Sequence, residues 1–321
     1  MELICNPKGH APLRRPRSVR RTASLDTTWP DGHSGNLLIE GRCRDLITGA
    51  DLNETQPARY DTMQAELNWE RFIQEINCER VDLSALIGAR GGGHLRAALD
   101  EHIHQERVNG TPLYLLLDDI SGVSLVSGWA WSRWGSNWVG DADFDNFESR
   151  RLMMTNICTG FATDSSALSE ATPPDNNPQV LPLPNPKDEQ SWHALPEVSH
   201  VGFRRARRID VWREDDKIQI DVGFQDSASD PDLERVAMHE YHVTAAANDA
   251  GVLTEVEAIP HVLPFPECPG AIENIQRMVG TPLTDMRAEV IEHLPGVLGC
   301  THLNDLLRSL AEVPSLVKLL D

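Results

Sequence analysis

The chain has 321 residues, is 40% hydrophobic and 24% charged, and carries a formal net charge of −20. That length suits two domains or one large core, no apolar run is long enough to span a bilayer, and the acidity argues against general nucleic-acid binding, which needs a basic field. No apolar region follows the N-terminal arginines, so no secretory leader is expected, the cytoplasm is the expected compartment, and the six cysteines do not read as a disulfide framework.

Residues 1–21 form a basic arm with Arg14-Arg15-Pro16-Arg17 and Arg20-Arg21, expected to lie solvated against an acidic body. An N-terminal unit, 22–150, follows. Alternation predicts a strand over 24–29, a turn at Pro30-Asp31-Gly32, and strands over 36–45 and 60–67, with 69–76 continuing the sheet. Arg90-Gly91-Gly92-Gly93-His94 opens a helix running to about His104; it reads either as a flexible loop or as a weak anion cradle. Gly110-Thr111-Pro112-Leu113 begins a second apolar segment. Trp129, Trp131, Trp134 and Trp138 come next, with Asp141, Asp143, Asp145 and Glu148 after them. Read as extended, this segment puts Trp129 and Trp131 on one face, where with Arg133 and Trp134 they could line a pocket for an aromatic or carboxylated molecule, or pack between halves. Residues 151–202, rich in Pro and Asp, read as a surface linker.

In the last unit, 203–321, the earlier order returns. Arg208 to Trp212 matches Leu25 to Trp29, Lys217 to Asp226 matches the second strand, and Glu255 to Ile259 matches Phe72 to Ile76. Cys268-Pro269-Gly270 falls opposite Leu86 to Ala89, and Cys300-Thr301-His302-Leu303 opposite Gly110-Thr111-Pro112-Leu113. Matching order suggests a duplicated unit. Where the first copy has Leu86, Gly110 and Pro112, the second has Cys268, Cys300 and His302. Fold alone does not ask for those side chains, so a site is expected in the second half.

Its chemistry follows from the residue types. Cys268, Cys300 and His302, with one of His239 and His242, make a two-sulfur, two-nitrogen set suited to zinc. A helix N-terminus favours a thiolate there. Because residues 240 and 242 share a face of a strand, His242 with Glu240 is preferred over His239. Glu240 and Glu267 are candidates for moving protons. Buried cap cysteines with a hydrogen-bonded histidine, or a metal-free reactive Cys–His pair, are the competing readings.

His239-Glu240-Tyr241-His242, Pro266-Glu267-Cys268-Pro269-Gly270 and Gly299-Cys300-Thr301-His302-Leu303 carry a resemblance to a bacterial domain-of-unknown-function family marked by a terminal Gly-Cys-Thr-His-Leu signature. The resemblance covers about 205–310 and implies a shared fold and site without naming a reaction. More remotely, this half resembles the NifU-type iron–sulfur scaffold proteins, with Cys268 as the helix-start cysteine and Cys300/His302 as the final pair. Adjacent His-Cys is replaced here by Cys-x-His.

The sequence therefore predicts an α+β protein of two related units, each a small antiparallel sheet with helices on one side. It predicts a metal-dependent lyase or hydrolase acting on a small organic substrate, using zinc or iron, with no nucleic-acid or membrane partner and a possible homo-oligomeric state. A non-enzymatic metal or iron–sulfur carrier is the alternative.

Overall fold

Eight strands follow the predicted alternation: β1 (Ser18–Thr28), β2 (Leu37–Thr48), β3 (Thr55–Leu67), β4 (Ile73–Asn77), β5 (Gly202–Glu214), β6 (Lys217–Asp230), β7 (Glu234–Ala247) and β8 (Leu253–Val262). The computed structural model describes residues 3–135, 153–169, 177–198 and 200–320; Trp138 and the acidic stretch at 141–148 lie outside them. The strands form one sheet in the order β4-β3-β2-β1-β5-β6-β7-β8, every neighbouring pair antiparallel. The two separate sheets expected from the sequence are thus fused. β1 and β5 hydrogen-bond along their length, Ser18 opposite Trp212 and Thr28 opposite Gly202.

The two halves also break register at corresponding places. After the Asp45–Arg59 pair the ladder skips Ala58, and after the Asp226–His239 pair it skips Met238. Further along, Glu66 faces Glu75 and Leu67 faces Ile73, while Ala246 faces Glu255 and Ala247 faces Leu253. Each bulge bends its strand and re-aims the side chains beside it.

One face carries the helices. These are α1 (Gly93–His102), α2 (His104–Asn109), α3 (Pro112–Val126), α4 (Ala130–Arg133), α5 (Met286–His293), α6 (Thr301–Arg308) and α7 (Val313–Val317). α3 is buried nearly all round, which suits its run of Leu113, Tyr114, Leu115, Leu116 and Leu117. Its N-terminus is satisfied twice: Thr111 accepts from the Tyr114 N–H, and Asp61 accepts from the Leu113 N–H at 3.0 Å. The Arg90–Gly93 turn is a packing device. Arg71 donates to the Gly91 carbonyl there, and a side chain on Gly91 would meet Ser124 Oγ at 2.6 Å.

The other face is covered by the N-terminal arm and by residues 177–198. Both were expected at the surface; instead they are structural. Arg14 holds Asp188 through 2.8–3.0 Å hydrogen bonds, the Trp192 ring is buried against Ala11 and Ala206, and His193 lies between Thr22 and Ser24 at 2.8 and 2.9 Å. Arg20 and Arg21 belong to β1 and are buried.

With both faces covered, the central strands are buried along almost their whole length, yet they carry six buried arginines. Each is paired. On the helix side Arg21 binds Asp45 and Glu312, Arg205 binds Asp226, and Arg207 binds Asp119, at 2.6–2.7 Å. On the other side Arg20 binds Asp210 at 2.5 Å, Arg204 binds Asp26 at 2.6 Å, and Arg208 binds Asp210 and Asp221. Removing one partner of a buried pair strands the other charge, at a cost of about 3–5 kcal/mol. Arg21→Met, which takes the nearer cation from Asp45 and one of two from Glu312, leaving Arg59 at 3.9 Å and Arg287, should lower the unfolding free energy by about that amount in urea denaturation. An unchanged midpoint would contradict the structural role given to this pair.

His193 gives a second test. Burial, reinforced by Arg44, Arg204 and Arg42, pushes its imidazole down from 6.5 to about 3. Between those two values the unfolded chain takes up a proton that the folded chain refuses, so this contribution is complete above 6.5 and is lost as pH falls. His193→Gln should flatten the fall in stability between pH 6 and 4 by about 1.4 kcal/mol per pH unit, the value for one proton. Stability curves of unchanged slope would refute the assignment.

Candidate metal centre

Strand pairing builds the floor of the site. Arg205 of β5, Asp226 of β6 and His239 of β7 stand opposite one another in one row on the helix side of the sheet. The next row is Arg207, Phe224 and Tyr241. Over them comes α6, whose Leu303, Leu306 and Leu307 are buried on one face. Its entry is fixed by Asn304, which donates to the Leu294 carbonyl at 2.9 Å. A side chain at Gly299 would approach that carbonyl oxygen to 2.4 Å and Asn304 Nδ2 to 2.6 Å, so only glycine fits before Cys300. The Gly-Cys-Thr-His sequence thus seats the first turn of α6 on the strand row.

His302, in that turn, lands on Asp226 and His239. The His239 and His302 rings stack at 3.5 Å, 19° from parallel, and His302 Nε2 lies 3.6 Å from Asp226 Oδ2. Among the described residues, these three are the one group of at least three His, Cys, Asp or Glu side chains with donor atoms within 4.8 Å of one another. All are buried, at 0% exposure for Asp226, 4% for His239 and 9% for His302. Burial pushes both imidazoles well below 6.5, helped by each other's charge at His239 and by Arg205 at both. They are therefore neutral near pH 7 and keep lone pairs for a ligand. Arg205 grips Asp226 with two hydrogen bonds, at 2.9 and 2.7 Å, and so orients the carboxylate.

This donor set fits a transition-metal ion. Two neutral imidazoles and a carboxylate are a familiar ligand triad for zinc and for non-haem iron, leaving coordination positions open. His239 Nδ1 is buried without a hydrogen-bond partner, a cost that coordination would relieve. Lone pairs lie in the ring planes, so two stacked rings do not aim at one point. Capturing an ion turns at least one of them.

The residues predicted from sequence fall in several places. Cys300 and His302 leave the same helical turn toward different rows: the Cys300 sulfur accepts from the Tyr241 hydroxyl at 3.5 Å, one row away from Asp226. Cys268 is buried at the start of a short 3-10 turn, close to Cys158 and Gly160. His242 and Glu240 are on the opposite face. His242 Nε2 meets Asp221 at 2.9 Å, and Glu240 accepts from the Lys8 N–H at 3.1 Å beside a cavity of about 40 Å³. Burial pushes Glu240 up to about 7 there. The shared-face argument for 240 and 242 holds, but that face is turned from His302, and His239 takes the place expected of His242. Glu267 accepts from the Ser166 N–H and hydroxyl at 2.9 and 2.8 Å, tying down that loop. The Trp129–Trp134 segment is helical, not extended. Trp131 packs edge-on against Trp29 at 5.6 Å, Trp134 donates to the Ser229 carbonyl, and Arg133 pairs with Asp230 at 2.8 Å.

Asp226 was not singled out from the sequence and His239 was passed over for His242, although both carry a readable signal. Asp226 ends the predicted second strand of the C-terminal unit, and His239 is the member of the His-Glu-x-His pair that shares a face with Tyr241.

No helix among the described residues is long and apolar enough to cross a membrane. No curated protein and no solved structure matches the chain. Residues 203–315 match the family model described as "Protein of unknown function (DUF2889)". Asp226, His239 and His302 all lie within the stretch that matches this uncharacterised domain family.

Proposed function

We propose that this protein binds a divalent transition-metal ion, zinc or iron, through Asp226, His239 and His302, and works as a metal-dependent lyase or hydrolase on a small organic substrate. The observation that carries the reading is the convergence of two imidazoles and a carboxylate from β6, β7 and α6 at one buried point. When bound, the ion would polarise a carbonyl or activate a water. Arg205 would hold the Asp226 carboxylate in its binding pose, and the second-row Phe224, 6.1 Å from His302, would keep the surroundings apolar. Arg96 is partly exposed and binds Asp305 at 2.8 Å, and Asp305 in turn reaches Arg205 at 3.3 Å. It is the cation that a carboxylated substrate would meet. Glu240 and Glu267 have no part in this reading, being on the other face and on a remote loop.

A non-enzymatic carrier or structural-metal reading is favoured by one observation, the near-complete burial of all three ligands. Open coordination separates the two, since a catalytic ion exchanges a water and a closed one does not.

The same reading includes descent of both halves from one duplicated unit. Supporting it are the matched bulges and the reciprocal pairs Arg20–Asp210 with Arg204–Asp26 and Arg21–Asp45 with Arg205–Asp226. Arg59 stands opposite Asp45 where His239 stands opposite Asp226. The metal site then belongs to the second copy alone.

Zinc content and zinc titration calorimetry provide the test. His239→Ala and His302→Ala should each lose one bound equivalent, whereas His242→Ala should keep it. Equal binding by His302→Ala and the parent protein, with folding intact in both, would sink the proposal.

A further inference from the structure

The sheet face turned away from the metal centre holds a small hollow that the metal reading does not use. Ala206, Gln225 and Glu240, from β5, β6 and β7, stand opposite one another in one row and form its floor, with Gly223 in the next row. Trp192 and residues 8–12 of the N-terminal arm line it from the other side. Trp192 is seated against Ala11 and Ala206. The arm is held by the Lys8 N–H on Glu240 and by the Ala11 N–H on the Leu183 carbonyl at 2.8 Å. Glycine within a strand weakens it and often marks a close approach by another group. At Gly223 crowding does not demand it, because a Cβ there would meet Arg208 only at 3.7 Å. Small residues at 206 and 223 leave a space of about 40 Å³. A water needs about 10–15 Å³, so the hollow takes about three non-hydrogen atoms.

Its walls carry unused hydrogen-bonding capacity. Gln225, 3% exposed, donates through Nε2 to Glu240 at 3.4 Å, which leaves its Oε1 buried without a partner. Trp192, 6% exposed, has its Nε1 buried without a partner. Among the described residues Glu240 accepts from the Lys8 N–H at 3.1 Å and from Gln225, whereas a carboxylate accepts about four such bonds. Buried polar groups left unmet are costly. The hollow thus offers one donor, Trp192, and two acceptors, Gln225 and Glu240. Arg208, also on its wall, is taken up by Asp210 and Asp221.

That pattern selects among small groups. A carboxylate would set an oxygen against Gln225 Oε1 or Glu240. An ammonium would leave Trp192 unmet and lie beside the Arg208 cation. A primary carboxamide has a carbonyl oxygen for the one donor and two N–H groups for the two acceptors, and its three head atoms match the space. We propose that this hollow binds the primary carboxamide group of a small molecule, its carbonyl accepting from Trp192 Nε1 and its amide nitrogen donating to Gln225 Oε1 and Glu240. The rest of the ligand leaves beside Lys8, which is exposed. This site is on the opposite face of the sheet from His239 and His302 and does not depend on a metal there.

Saturation-transfer NMR on the full-length protein tests this, with acetamide as the probe. The method detects weak binding, which a ligand of four non-hydrogen atoms requires. Acetamide should give a clear methyl signal. Acetate and acetone, which have the same size but no N–H groups, should give at least tenfold less. Gln225→Leu and Trp192→Phe remove the polar atoms and keep most of the side-chain bulk, and each should weaken acetamide binding at least tenfold. His239→Ala and His302→Ala should leave it unchanged, which separates failure here from failure of the metal reading. Where a variant does not fold, a crystal structure of the parent protein soaked in acetamide decides: a planar group bonded to Trp192, Gln225 and Glu240 is expected, and water alone in the hollow would overturn the proposal. Equal signals from acetamide and acetate, or unchanged binding by folded Gln225→Leu, would overturn it as well.

Discussion

Six buried guanidinium groups in the two central strands set the terms for everything around them. A charge taken out of water costs several kcal/mol unless it is met by an opposite charge and its hydrogen bonds are filled. On one face β1 and β5 supply Asp26 and Asp210 themselves, but on the helix side they fold as buried strands only if carboxylates arrive from elsewhere. β2 and β6 supply Asp45 and Asp226, α3 supplies Asp119, and the C-terminal helices supply Glu312. Glu312 passes the chain of charges on to Arg287, which binds Asp118, which also meets Arg96 and Arg308. The helix layer is bolted to the sheet by charge as well as by leucines, and its position is more tightly specified than apolar packing alone would make it.

The strands were legible because alternation is a local property. How the two halves meet was not. Hydrogen bonding between β1 and β5 couples residues nearly two hundred positions apart, and the polar look of Arg20-Arg21 and Arg204-Arg205 suggests an exposed arm or edge strand, not the centre of a sheet. Their partners, Asp45, Asp210, Asp26 and Asp226, are common strand residues with no motif of their own. The 177–198 segment failed for a related reason. Its Pro- and Asp-rich composition reads as linker, yet Trp192 and His193 anchor it over a face that alternation had left facing solvent.

At the candidate site, the sequence singled out the turn that the structure seats beside Asp226 and His239, and expected other neighbours for it. Gly299 to His302 stands out because a small residue, a thiol and an imidazole sit where the first half has only turn residues. The choice between His239 and His242 depends on which face of β7 the helices cover. With arginines on both faces of β5, hydropathy offered no answer. Trp129-x-Trp131 misled in a different way. A spacing of two suggests a strand, but the segment prolongs the helical run out of α3, and its Trp131 and Trp134 rings meet Trp29 and Ser229.

The two halves differ in the charge placed around their corresponding carboxylates, Asp45 and Asp226. In the first, Asp45 has Arg21 beside it and Arg59 opposite it across the bulge, 3.9 Å away, so two guanidiniums address the carboxylate. In the second, Asp226 has Arg205, but the position across the bulge holds His239, which burial keeps neutral. The row above adds no charge, since Tyr241 stands where the first half has Asp61. The second half thus pairs its strands as the first does, with one fixed positive charge fewer and two neutral nitrogen donors, His239 and His302, facing the gap. An arginine in that position closes the site with a charge of its own. Two imidazoles leave the charge to be supplied from outside, which is the electrostatic requirement for a site that binds a metal ion.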